Sequence, residues 1–379
     1  MVDTALEPAP VRVANASIFL ATLVAIIGLI GVLLSFDLFL ARIDRQESSA
    51  HAASEYAAGG ALLHSGHASD AVDHFSAAVA IDRSNVNYAL ALAEGMLQQG
   101  RTTEAEATLG TLLDRAGHDG AVNLTMAHAM IREGRMGEAK AYFHRAIFGR
   151  WGADSISDRN HARFELIDFL AQHGTQRELL AELLPFEDAP ADSVALRRRL
   201  GNLFISAGSP ARAADMFREV LRRVPNDADA YAGMGEAAFA LGNFQTARAD
   251  FAEAARARPG DIHIEARMAL ADTVLALDPT ARGVASHDRV TRSRALLART
   301  LSAVTACGGP ATAAADSARV LLAPTRAPAA SARAPRDNSD AAAEAMMSLT
   351  IELWSGRPAA CAATARDDAL RLVVSRIAQ

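Results

Sequence analysis

The chain has 379 residues, 50% of them hydrophobic but only 5% aromatic, and a formal net charge of −6. It is long enough to bury a large core, and alanine-rich helices packed at short distances account for many apolar residues with few rings. The acidic balance offers no basic face to a nucleic acid, and the single lysine, Lys140, reflects biased composition rather than guanidinium chemistry.

Residues 1–12 read as a polar tail, and 13–40 as a transmembrane signal anchor. Val13 to Phe36 carries no formal charge, and about 20 apolar residues suffice to span a bilayer as a helix. The run is longer than the apolar core of a cleaved signal peptide and only Arg12 precedes it, so the anchor is expected to stay. Gly31 with Ser35, and Ala21 with Ala25, form small-residue pairs that would let a second copy approach as a homodimer, although small residues are common in any membrane span. Orientation is evenly contested under the positive-inside rule. Arg42 and Arg45 after the span lean towards a cytoplasmic body, whereas a short tail before one span suits a body that is exported. Ala41 to His51 is expected to be a polar connector.

Six glycines then set a period. Gly66, Gly100 and Gly134 are evenly spaced, Gly174, Gly208 and Gly242 repeat the same interval, and the step from Gly134 to Gly174 is longer. Five residues after each glycine stands Ala71, Ala105, Ala139, Leu179, Ala213 or Ala247, and nine after stands Phe75, Leu109, Phe143, Leu183, Phe217 or Phe251. Self-similarity at a period of about 34 residues predicts a stack of two-helix units. The glycine leaves the inner helix with positive φ, the alanine marks the close crossing, and the large residue fills the gap beside it. Repeats one to three occupy 52–153, an insertion 154–159, and repeats four to six 160–261. Pro225 and Pro259 stop the second helices of the last two. Repeat four is the poorest match, with leucines at both marker positions.

These residues, above all Tyr231, Gly235, Gly242, Ala247, Phe251, Ala254 and Pro259, resemble the tetratricopeptide (TPR) repeat. The resemblance covers roughly residues 52 to 261 and implies an all-α fold: a solenoid of about six to seven TPR-type helical hairpins behind one N-terminal transmembrane helix, closed by a helical C-terminal cap. It also implies a scaffold that holds a protein or peptide segment on a concave face lined by the inner helices. By register that face takes Tyr56, Leu63, Leu90, Glu94, Leu97, Leu124, His128, Ile131, Phe164, Asp168, Arg198 and Asn202, continuing to Ile205, Glu236 and Phe239. Some of the leucines would equally well pack between repeats. Chaperone-binding TPR domains hold a C-terminal carboxylate in a Lys/Asn/Asn/Lys/Arg clamp. Arg198 and Asn202 resemble its first two places, but Gly233 stands where the next asparagine is required, so that clamp is not expected. Of Arg197-Arg198-Arg199, Arg198 is expected to face an acidic partner and Arg197 to lie on a solvated face.

Residues 262–307 read as a degenerate seventh unit or cap, and 308–379 as a flexible segment followed by a closing hairpin, Ala341–Trp354 with Thr364–Ile377. The two cysteines, Cys307 and Cys361, would staple that hairpin to the cap in an exported protein, or else are unrelated buried thiols. No catalytic, metal or cofactor pattern emerges. His64, His67, Asp70 and His74 cluster at a repeat turn without a third firm ligand, and Gly233-Met234-Gly235 follows no strand. The expectation is a non-enzymatic, single-pass scaffold of a bacterial inner membrane, its repeats on the extracytoplasmic side. The alternatives are a cytoplasmic adaptor of a membrane enzyme complex and a ligand-binding protein or enzyme with its site in the groove.

Overall fold

Short polar side chains start the inner helices of the repeats in the computed structural model, which describes residues 13–152, 155–187, 193–307, 313–323, 337–357 and 367–378. Asn85, Asp119, Ser193, Asp227 and Asp261 each accept a hydrogen bond from a backbone N–H two or three residues on, satisfying donors that the first helical turn leaves open. Gly66, Gly100, Gly134, Gly208 and Gly242 end the inner helices with φ between +68° and +83°. The residue after each donates back five positions, as Arg101 does to the Met96 carbonyl at 2.9 Å, which is the Schellman closure.

The elements follow in order: α1 (Val13–His64), α2 (Ala68–Ile81), α3 (Val86–Gln98), α4 (Thr102–Ala116), α5 (Gly120–Arg132), α6 (Met136–Phe148), α7 (Ser155–His173) and α8 (Gln176–Leu183), then a 3-10 turn over Leu184–Phe186. Next come α9 (Val194–Ser206), α10 (Pro210–Arg223), α11 (Ala228–Ala240), α12 (Phe244–Ala257), α13 (Ile262–Leu277), α14 (Ser286–Ala306), α15 (Ala313–Leu322), α16 (Asp337–Ser355) and α17 (Asp367–Ile377). Among the described residues no strand forms; Asp119 and Arg150 make one isolated bridge. The chain divides into two compact bodies, residues 1–168 and 169–379.

The marker residues form the core in both bodies. Ala71, Ala105, Ala139, Ala213 and Ala247 are fully buried, and Phe75, Leu109, Phe143, Phe217 and Phe251 are at most 1% exposed. Each such large side chain contributes about 1.5–3 kcal/mol by leaving water. Glycines let helices close on the rings: a Cβ at Gly233 would meet Phe217 at 2.2 Å, and one at Gly235 would meet Phe251 at 2.7 Å.

Three local expectations change. The connector over 41–51 is helical, part of a single 52-residue helix that runs from the apolar segment into the first repeat; no proline or glycine interrupts the chain between Gly31 and Gly59. The six extra residues before repeat four lengthen its inner helix instead of forming a loop: α7 has 19 residues where α3, α5, α9 and α11 have 13. Gly174 has no positive φ; Thr175 and Glu178 close a reciprocal capping box that starts α8 directly. In the C-terminal body, α17 packs Ala369, Leu370 and Val373 against α12 and α13, while α16 packs Met346 and Leu353 against α14 and α15. The two closing helices also touch each other, and Trp354 of α16 packs against the same cluster as α17.

Candidate interaction faces

In the N-terminal body the inner face is carried by the end of α1 and by α3, α5 and α7. Tyr56 is 38% exposed, its ring 5.1 Å from that of Tyr88. Leu63, Leu90, Ile131 and Phe164 are half-buried, and Glu94 and Asp168 are exposed. Leu97 at 4% and Leu124 at 9% exposure belong to the core rather than to a groove wall, because an apolar side chain at a repeat boundary gains more between helices than in water.

His128 lies between two carboxylates on neighbouring helices. Its Nε2 is bonded to Glu165 Oε2, and His161, one turn earlier on α7, reaches Glu165 Oε1 at 2.8 Å. Burial alone would raise the Glu165 carboxyl, but the hydrogen bond and charge of His128, with those of His161, hold it below its ordinary range. Glu94, on α3, is pushed upward: although open to solvent it sits down in the inner face, and desolvation outweighs the Thr125 hydroxyl and the charge of His128.

In the C-terminal body α9 and α11 frame a pocket of about 400 Å³ lined by Arg198, Arg199, Asn202, Ser206 and Asp229. Arg198 is half-buried and pairs with Asp229 at 2.7 Å and Asp227 at 3.7 Å; Asn202 is exposed. Further along, Arg267 of α13 grips Glu236 of α11 with two bonds of 2.5 Å, its guanidinium 4.5 Å above the Phe239 ring. Ile205 is half-buried, whereas Phe239 is buried and serves the core. Arg197 also departs from expectation. It is 6% exposed, with Nε 2.9 Å from Glu219 and a bond to the Glu187 carbonyl, so its charge is neutralised inside rather than solvated.

The turn histidines go to separate partners: His64 to the Gly60 carbonyl, His67 to Ser65 and His74 to Glu55. Among the described residues no group of three ligand-type side chains is placed to hold a metal. Cys307 ends α14; its expected disulfide partner, Cys361, lies outside the described residues. Sequence register missed Thr125, His161, Glu165, Asp229 and Arg267. The signal for the last two is an offset of 31 residues, which separates Arg198 from Asp229 and Glu236 from Arg267; that for His161 and Glu165 is a one-turn spacing on a single helix.

Family models for the tetratricopeptide repeat match residues 62–121, 96–148 and 198–262. No curated protein matches the chain in sequence. Among solved structures, the C-terminal part of a TPR repeat-containing protein from Cytophaga hutchinsonii is 13% identical, covering 69% of this chain and 98% of its own, with a TM-score of 0.46. PilW, a type IV pilus biogenesis factor, is 19% identical, covering 56% of this chain and 96% of its own, with a TM-score of 0.41. The TPR2AB domain of yeast Sti1, in complex with an Hsp90 peptide, is 16% identical, covering 80% of this chain and 99% of its own, with a TM-score of 0.30. The matched stretches coincide with the hairpins built on Gly66, Gly100, Gly134, Gly208 and Gly242, and over them the chain carries tetratricopeptide repeats, which indicate a helical scaffold for protein–protein interaction.

Proposed function

We propose that this is a single-pass, membrane-anchored scaffold of a bacterial envelope that holds a segment of a partner protein against the inner faces of its repeats, on the extracytoplasmic side of the inner membrane. The observation that carries the reading is α1. From Phe19 to Leu40 its large apolar side chains are all exposed, and about 20 such residues match the thickness of a hydrocarbon core. The same helix then becomes the first inner helix of the repeats. Export would agree with the expected Cys307–Cys361 bridge, which an oxidising compartment would keep. No catalytic role is assigned.

The test is topological. Spheroplasts are treated with protease and with a membrane-impermeant thiol reagent, before and after reduction. Digestion of the repeats from outside, with labelling of Cys307 and Cys361 only after reduction, is the expected result. Protection until lysis would place the repeats in the cytoplasm and point to an adaptor of a membrane enzyme complex. For the holding role, a photo-crosslinker at Asn202 is expected to trap one discrete partner that the same group at Arg222, on the outer helix α10, does not.

A further inference from the structure

Glu94, His128, Asp168, Asn202 and Glu236 occupy one and the same position, the ninth, in repeats two to six. Two of these five are glutamates, and they are treated differently. Glu236 receives a fork from Arg267, both nitrogens at 2.5 Å, supplied 31 residues later by the next inner helix. The residue 31 positions after Glu94 is Thr125, which carries no charge and approaches only to 3.4 Å. Its one hydroxyl proton is better placed on the Ala121 carbonyl at 3.0 Å. His128, the nearest group able to carry positive charge, has its Nε2 engaged by Glu165. Among the described residues no arginine or lysine lies within ion-pair distance of Glu94.

The half-buried glutamates of the repeats are matched from within: Glu106 by Arg135, Glu187 by Arg212, Glu219 by Arg197. The exposed Glu94 carboxylate is left on the inner face without a cation from the chain, open to one supplied from outside. The chain itself shows what completes this position, a guanidinium seated in bidentate geometry. Half-buried Leu90, one turn before Glu94, offers an apolar surface for the aliphatic part of such a side chain.

Building on the reading of the inner faces as partner-holding surfaces, we propose that Glu94 is the subsite for an arginine side chain of the partner protein, occupying the place that Arg267 fills internally at Glu236. Arginine fits better than lysine because a planar fork meets both carboxylate oxygens at once. Leu97 stands where Phe239 does, so the site lacks the ring that Arg267 also uses and relies on the carboxylate for its selectivity.

The test selects peptides from a random displayed library on the full-length chain in detergent micelles. Arginine-containing sequences are expected to emerge. In the tightest of these, replacing the arginine by neutral, isosteric citrulline should weaken binding about tenfold or more, the scale of a charge-assisted bidentate bond. Against Glu94→Gln, the arginine and citrulline peptides should bind alike. Thr125→Arg supplies the guanidinium from within and should erase the same preference. Equal binding of arginine and citrulline by the wild type, an undiminished preference in Glu94→Gln, or equal binding of a lysine peptide would overturn the assignment. If no peptide is enriched at all, the partner-holding reading of this face falls, and the Glu94 subsite with it.

Discussion

At the scale of single residues, two acidic groups make opposite statements about pH. Glu165 of α7 faces His128 from α5 and His161 from its own helix, with Glu94 of α3 on the far side of His128. Its carboxyl is held below the ordinary value of 4.5, so the stability it contributes is complete above that pH and is lost as pH falls below it. Glu165→Gln should lower stability by about 1 kcal/mol at pH 7, the scale of a hydrogen bond to a charge only partly replaced by the amide. The gap between mutant and wild-type melting curves should close as the buffer is taken below pH 4. Asp250 of α12 runs the other way: burial first, then the charge of Glu253, push it up to about 6, and its Oδ2 has no partner. The ionised form is disfavoured in the fold, so Asp250→Asn should raise the melting temperature at pH 7, with the gain vanishing below the ordinary aspartate value of 3.8. An unchanged melt at pH 7 would count against that burial. Glycines are equally position-dependent. Gly233→Ala would drive a Cβ into the buried Phe217 ring and should cost about 1–3 kcal/mol by overpacking. Gly110→Ala in the middle of α4, with open space around it, should stabilise by up to about 1 kcal/mol through helix propensity. Both values can be read from the same denaturant titration.

At the scale of the element, the repeat period was legible because each marker has a local cause: a left-handed glycine, a small residue at a crossing, a ring beside it. The faces were less so. Leu97 and Phe239 share a register with exposed positions, yet the width of the neighbouring side chains decides which way an apolar residue resolves, and that is a property of two helices at once. The Glu236–Arg267 fork and the gap at Glu94 depend on a partner 31 residues away, beyond any spacing that one helix imposes. The course of α1 through 41–51 could be argued from the absence of a breaker; polarity alone suggested a connector. The last helix makes a separate case. Asp278, 1% exposed, is bonded to the Thr280 backbone and hydroxyl and lies 3.4 Å from Arg376 of α17, which also donates to the Gly242 carbonyl. Arg376→Met keeps the aliphatic contact but takes the cation from a buried carboxylate that then keeps only its Thr280 bonds. The expected cost is about 1–3 kcal/mol, at the low end because Arg376 is itself partly solvated. Earlier hydrogen exchange in α17 than in α11 would locate the loss at the last helix, and uniform loosening would mean that α17 is not held by this pair.

At the scale of the whole molecule, the continuity of α1 is what would link membrane and repeats in the proposed single-pass arrangement. A flexible connector would let the repeats sample all orientations above a bilayer, so the direction of their inner face would carry no information. A 52-residue helix instead extends for about 78 Å at ~1.5 Å per residue. In that arrangement about 30 Å of it would lie in the hydrocarbon core, while its end is committed to the hairpin with α2 through buried Ala52 and the Tyr56–Phe75 contact. The height and rotation of the first repeat above the bilayer would then be fixed by helix geometry, at about 100° per residue. Spin labels at positions 41 and 61 of the full chain in bilayers should report a single narrow distance of about 30 Å, the length of about 20 residues rising ~1.5 Å each. Ser49→Pro removes an internal hydrogen bond and clashes with the preceding turn, so it should broaden that distribution while leaving the melt of the repeats intact. A broad distribution in the wild type would show that the anchor and the first repeat move independently, and that the partner, not the helix, orients the inner face.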